Sequence, residues 1–210
     1  AIFINSPSEI SSIVGSEFES NYSGNYGGAI YNDYGKLYLK DVTICGNTAE
    51  CGGAIYGDDL DDVIVYIQDG TKIYENTVSV SGGGIYMYNG YLYFEDGEIR
   101  DNDAANGAGI YWNSDNACYL TGGKIMGNYA SDKGGGVYVS SNGDVYLGGD
   151  VQITENWYGN LYLVGKAANI SNANGQNGVP NKPLTEGAKI YISSANIEEE
   201  IKSIKRYLNK

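Results

Sequence analysis

The chain has 210 residues, enough for one domain with a substantial core. Acidic residues outnumber basic ones 26 to 13, and the formal charge of −13 opposes a phosphate backbone and excludes nucleic acid as a partner. Histidine is absent, which removes histidine-based nucleophile pairs, histidine acid/base chemistry and most zinc and haem sites.

In chain order, the opening AIFINSPSEI carries no basic-then-apolar leader, and no apolar run nears the roughly 20 residues that span a bilayer, so a soluble chain without membrane insertion is expected. Ile2, Ile4, Ile10 and Val14 form a partial first turn. From Phe18 onward three phrases alternate. The first is an aliphatic residue or Phe, two residues, then Asn: Phe18 to Asn21, Ile44 to Asn47, Ile73 to Asn76, Ile99 to Asn102, Ile125 to Asn128 and Ile153 to Asn156. The second is a glycine pair before an aliphatic residue and Tyr, ending at Tyr31, Tyr56, Tyr86, Tyr111 and Tyr138, with a degenerate GNLY at Tyr162. The third is an apolar-Tyr-apolar triplet centred on Tyr38, Tyr66, Tyr93, Tyr119 and Tyr146.

Each phrase alternates with period two over a few residues and is bounded by Gly, Asn or Asp, which describes strands. A unit of roughly 26 residues with three short strands cannot bury its own apolar face, and stacked copies at the ~4.8 Å strand spacing make a continuous interior. The fold class is therefore all-β: a single-stranded parallel β-helix, or β-solenoid, of about seven rungs over residues 1–163. Gly27, Gly52, Gly82, Gly107, Gly134 and Gly159 suit a corner with positive φ, and Ala108 and Asn160 suggest that only this first position is strict. One Asn per rung, as at Asn47, Asn76, Asn102 and Asn128, predicts an amide ladder. Residues 164–187, rich in Asn, Gly and Lys, read as a loop. A strand over Lys189 to Ser193 repeats the apolar-Tyr-apolar triplet. Asn196 and Glu199 then form a capping box for a short amphipathic helix with the stripe Ile197, Ile201, Ile204 and Leu208, which would cover the open end of the coil or dock elsewhere.

With the aliphatic residues inward, period two turns Tyr31, Tyr56, Tyr86, Tyr111, Tyr138 and Tyr162, and also Tyr38, Tyr66, Tyr93, Tyr119 and Tyr146, outward as two surface ladders on two faces of the rod. Stacked rings protect one another, and an aromatic face would also bind a sugar or a protein. Asp58, Asp59, Asp61 and Asp62 form an acidic cluster whose only cofactor reading is calcium, without the alternating ligands of an EF-hand loop. Cys118 takes an inward slot, whereas Cys45 and Cys51 flank one corner as either a local disulfide or two thiols.

The pairing of Phe18-Glu19-Ser20-Asn21 with Gly27-Gly28-Ala29-Ile30, and phrases such as ICGNTAECGGAIY, resemble the repeats of polymorphic outer-membrane and adhesin-like right-handed β-helix proteins. The resemblance covers residues 18 to about 163 and implies a secreted or surface-displayed passenger, commonly adhesive. The expected function is accordingly a non-catalytic extracellular binding protein whose partner is a glycan or a protein. A fibre-forming structural subunit, whose partners are copies of itself, is the alternative, and a β-helix carbohydrate-active enzyme follows behind both.

Overall fold

The computed structural model describes residues 1–58, 63–141, 143–164, 170–172 and 189–190. Every strand pairing in this part is parallel, and no helix occurs among the described residues. Short strands stack turn upon turn in columns, the longest of which make about six turns of a β-solenoid. The asparagine column is a seven-stranded sheet of Glu17–Glu19, Thr43–Cys45, Lys72–Tyr74, Glu98–Arg100, Lys124–Met126, Gln152–Thr154 and Lys189–Ile190. The glycine-corner column holds Ile55–Gly57, Ile85–Met87, Ile110–Trp112, Val137–Val139 and Leu161–Leu163. The triplet column holds Ile64–Gln68, Tyr91–Phe94, Cys118–Leu120, Val145–Leu147 and Ile170–Asn172. In the first two turns Ile2–Val14 and Ile30–Lys40 run through both, so these two columns join as one 12-stranded sheet.

Register follows the repeat residue for residue. Ile30, Ile55, Ile85, Ile110, Val137 and Leu161 align, as do Phe18, Ile44, Ile73, Ile99, Ile125 and Ile153. All but Phe18 are buried, and each such side chain contributes about 1.5–3 kcal/mol to the interior. A slip by one residue would turn the whole stripe outward, so the pattern itself holds the register.

Three features depart from the sequence reading. A fourth column, Thr48–Cys51, Thr77–Ser81, Asp103–Asn106 and Tyr129–Lys133, lies between the asparagine and the glycine corner. Its inward residues are Ala49, Val78, Ala104 and Ala130, a separate small cluster with too little hydrophobicity to stand out as a strand signal. Within the expected loop, Ile170–Asn172 continues the triplet column, and the expected strand at Lys189 pairs through Lys189–Ile190 with Gln152 and Ile153, in the asparagine column rather than the triplet column. The capping helix of Asn196, Ile197, Glu199, Ile201, Ile204 and Leu208 lies outside the described residues.

The corners explain the repeated polar residues. Each ladder asparagine follows a residue with left-handed backbone: Ser20, Gly46, Glu75, Asp101, Gly127 and Glu155 have φ between 54 and 66°. This kink aims the side chain along the coil axis. The backbone N–H and the Nδ2 of Asn76 both donate to Asn102 Oδ1, at 3.0 and 2.9 Å, and the same pair of bonds joins Asn21 to Asn47, Asn47 to Asn76, Asn102 to Asn128 and Asn128 to Asn156. The second Nδ2 hydrogen reaches a backbone carbonyl across the corner, as from Asn102 to Ile73 at 3.1 Å. Of the glycine pair, Gly27, Gly52, Gly82, Gly107 and Gly134 have φ of 58 to 71°. The second glycine serves close approach instead: a Cβ on Gly53 would lie 2.3 Å from the Gly83 carbonyl oxygen of the next turn.

Replacing Asn102 by Ala removes one acceptor and two donors from a fully buried site and leaves the Asn76 amide and the Ile73 carbonyl short of partners. The expected loss is about 3 kcal/mol by urea denaturation, against under about 1 kcal/mol for Asn21→Ala at the solvated end of the ladder. Equal losses at the two positions would mean that the buried ladder does not carry the corner.

Candidate functional site

The outward residues of the two joined columns are the tyrosines that the sequence singles out, and they form two continuous stacks. In the glycine-corner column Tyr31, Tyr56, Tyr86, Tyr111, Tyr138 and Tyr162 follow at centroid separations of 5.3, 5.0, 4.7, 5.0 and 5.2 Å, with interplanar angles of 9 to 15°. In the triplet column Tyr38, Tyr66, Tyr93, Tyr119 and Tyr146 follow at 4.2, 4.6, 4.6 and 5.0 Å. In-register pairing of the parent strands dictates this geometry, since successive rings inherit the strand spacing. Each stacked pair adds about 0.5–1.5 kcal/mol beyond its buried area.

Stacking changes what these residues offer a partner. Each interior ring has its two faces on its neighbours, so only edges and hydroxyls point outward. Tyr56 and Tyr119 are buried outright, and the other nine ladder rings are half-buried. The ladders are therefore ridges of phenol groups rather than flat aromatic platforms. Burial raises the hydroxyl pKa at Tyr56, Tyr86, Tyr93, Tyr138 and Tyr146, with nearby acids and phenols adding to it. At Tyr66 burial is reinforced by a hydrogen bond with Tyr38. Tyr31 is raised by burial and by its hydrogen bond to the Asp58 carboxylate, which ties the first ladder to the start of the acidic cluster.

Four features escaped the sequence reading. Phe3 pairs in register with Tyr31 and extends the stack by one ring, at 5.3 Å. Tyr26 lies outside every repeated phrase yet stacks on Tyr56 at 4.6 Å. Trp157, Tyr158 and Tyr129 gather on the outer side of the fourth column, with Trp157 63% exposed. Trp112 fills an inward slot that other turns give to Asn32, Gly57, Met87 and Val139. The repeat position of Phe3 was a usable signal, since Ile2-Phe3-Ile4 copies the Ile30-Tyr31 phrase.

Of the acidic cluster, Asp58 is placed against Tyr31, while Asp59, Asp61 and Asp62 lie outside the described residues. Among the described residues no three Cys, Asp or Glu side chains gather as a metal site. Cys118 is fully buried between Leu92 and Val145, as its slot predicts. Cys45 and Cys51 are free thiols on strands of different columns, which resolves the two readings of that corner in favour of thiols. No helix among the described residues is long and apolar enough to cross a membrane.

Residues 15–33 and 41–58 match the Chlamydia polymorphic membrane protein repeat. Both segments span an asparagine corner and the glycine corner after it, the two devices that the later turns repeat. Proteins of that repeat family are associated with the outer membrane and the cell surface and are not known as enzymes. Of the secreted or cell-surface location expected from the sequence, the cell surface is the location of that family. No curated protein and no solved structure matches the chain.

The ladders make stability depend on alkaline pH. The Tyr119 hydroxyl is pushed up to about 12 by burial and by the neighbouring Tyr93, Tyr146 and Tyr91 hydroxyls and Asp144, whereas an unfolded tyrosine ionises near 10. A folded pKa above the unfolded one means that the unfolded chain releases the proton first, so the stabilisation is complete below about pH 10 and is lost as pH climbs towards 12. Thermal melts across this range should fall steeply above pH 10, with the phenolate absorbance at 295 nm of the buried ladder hydroxyls appearing together with unfolding. Full phenolate titration near pH 10 in an intact fold would contradict the buried-hydroxyl account.

Proposed function

We propose that this protein is a non-catalytic binding β-solenoid of the bacterial surface or its secreted proteins, engaging a glycan or protein partner through its two tyrosine ridges. The observation that carries this reading is the pair of unbroken phenol stacks, with hydroxyls repeated at about the strand spacing along the rod. Tyrosine supplies large, rigid, amphipathic contact area at low entropic cost, and a periodic ridge meets a periodic or extended partner at several points at once. The match to a surface-protein repeat supports the same reading. The charge of −13 keeps copies apart and favours neutral or basic partners.

A variant with Tyr86, Tyr111 and Tyr138 all changed to Phe keeps the stack and deletes three outward hydroxyls. Its melting temperature should stay within about 3 °C of the parent, while binding on glycan arrays and to host-cell surface proteins falls at least about tenfold. Unchanged binding to every partner that the parent recognises would reduce the ridges to packing.

A further inference from the structure

We propose that a strip of six uncharged polar side chains, Tyr86 and Tyr88, Tyr111 and Asn113, Tyr138 and Ser140, binds an uncharged β-1,4-linked polysaccharide laid flat along the coil axis, one sugar per turn. This deepens the binding reading above, rests on it for the ridge, and names the class of partner. The strip lies within the coil, with a described turn on either side of it.

Two files of side chains make the strip. Met87, Trp112 and Val139 are fully buried between them, whereas Tyr88 is 45% exposed and the other five residues are half-buried. In the first file Tyr86, Tyr111 and Tyr138 follow one another at 4.7 and 5.0 Å, with interplanar angles of 14 and 10°. The second file keeps the same step, because Tyr88 N–H donates to the Gly57 carbonyl at 2.8 Å, Asn113 N–H to that of Met87 at 2.8 Å and Ser140 N–H to that of Trp112 at 2.9 Å. Two residues of chain set the files roughly 6–7 Å apart. Along the second file the strip is bounded by Asp58 one turn earlier and Val164 one turn later, so it is three turns long.

What the strip offers is unspent hydrogen bonding. Among the described residues no hydrogen-bond partner takes up the hydroxyls of Tyr86, Tyr88, Tyr111 and Tyr138 or the amide hydrogens of Asn113, whose Oδ1 accepts from Ser140 Oγ at 2.7 Å. Elsewhere the ladders spend theirs: Tyr31 on Asp58, Tyr38 and Tyr66 on each other, and Tyr146 on Asp144 at 3.2 Å. In an extended β-1,4-linked ribbon each sugar advances the chain by slightly more than the ~4.8 Å strand spacing and is turned over relative to the last, so both edges present a hydroxyl at every step. Such a ribbon stays in step with both files over three turns. Chains linked α-1,4 or β-1,3 coil away from a straight file within a few sugars, and an extended peptide, at about 3.3 Å per residue, misses every other turn. The strip carries no charge and the chain carries −13, which opposes acidic polysaccharides and nucleic acids.

Isothermal titration calorimetry on the whole chain tests this with cellohexaose, mannohexaose and N-acetylchitohexaose, beside maltohexaose and laminarihexaose as α-1,4 and β-1,3 controls. At least one β-1,4 hexasaccharide should bind at least about tenfold more tightly than either control. Within its series affinity should rise about tenfold from disaccharide to tetrasaccharide and change little beyond, as a strip of three turns requires. Asn113→Ala combined with Ser140→Ala, and separately Tyr88→Ala, should each weaken binding about fivefold at an unchanged melting temperature. A partner held by the ridge alone loses affinity in the triple Phe variant of Tyr86, Tyr111 and Tyr138 but keeps it in these second-file variants, which separates failure of the strip from failure of the ridges. No binding of any β-1,4 hexasaccharide, equally tight binding of a control, or binding indifferent to chain length or to both second-file variants would overturn the proposal.

Discussion

Parallel strands hydrogen-bonded turn to turn lie about 4.8 Å apart, and every other feature of this coil has to live on that interval. An amide side chain bridges it with one hydrogen bond, which is why asparagine and its own backbone N–H can share a single Oδ1 on the next turn. Aromatic rings bridge it less closely, because van der Waals contact between flat rings is shorter than the strand spacing. They compensate by tilting and sliding, and the observed centroid separations of 4.2 to 5.3 Å with small interplanar angles are that compromise. Glycine is needed where backbone meets backbone across the interval with no space for a Cβ, as at Gly53.

The same interval separates the middle of the coil from its ends. A side chain in an interior turn has an identical neighbour above and below, so its best surface is spent on its own kind. This holds for the amide ladder, for the two phenol stacks and for the aliphatic core. Among the described residues, aromatic rings outside the two stacks gather where periodicity fails, as in the cluster of Tyr129, Trp157 and Tyr158 late in the fourth column. Repetition builds the rod, and exceptions to repetition leave aromatic side chains exposed.

That division also governs what could be read from the sequence. Fold, register, inward and outward alternation and both ladders were legible because each is written five or six times, and the agreement of copies averages out local ambiguity. Features written once were not. Tyr26 matches no phrase, and Trp112 shares its slot with residues as unlike as Asn32 and Gly57, so only packing against Met87 and Val139 reveals it as core. The fourth column was missed for the opposite reason: Ala49, Ala104 and Ala130 recur two residues after Asn47, Asn102 and Asn128, with Val78 after Asn76, but alanine carries too little hydrophobic contrast to announce a strand. The flat aromatic face expected from exposed tyrosines fails on geometry, since period two fixes which side a ring is on and not which way its plane turns.

Termination of the asparagine ladder is the clearest case of an exception with a reason. Each Oδ1 accepts from the turn before, so the ladder is polar and its last donors need an acceptor that is not supplied by simple repetition. Three residues past Ile190, where the next asparagine would fall, the sequence has Ser193. The final glycine corner is one residue shorter than the others and carries Asn160 where Gly136 stood a turn earlier, the position whose Cβ would point 2.8 Å from Asn156 Nδ2. Asn160 Oδ1 accepts from both the Asn156 backbone N–H at 3.0 Å and its Nδ2 at 2.9 Å, the same pair of bonds that the next turn provides elsewhere. A substitution that reads as decay of the glycine motif is thus the stop of the amide ladder, and the shortened corner has positive φ at Tyr158 as well as Gly159, with Tyr158 exposed beside Trp157. Closing the ladder and opening the aromatic cluster are therefore one local event, driven by the need of a buried amide for an acceptor.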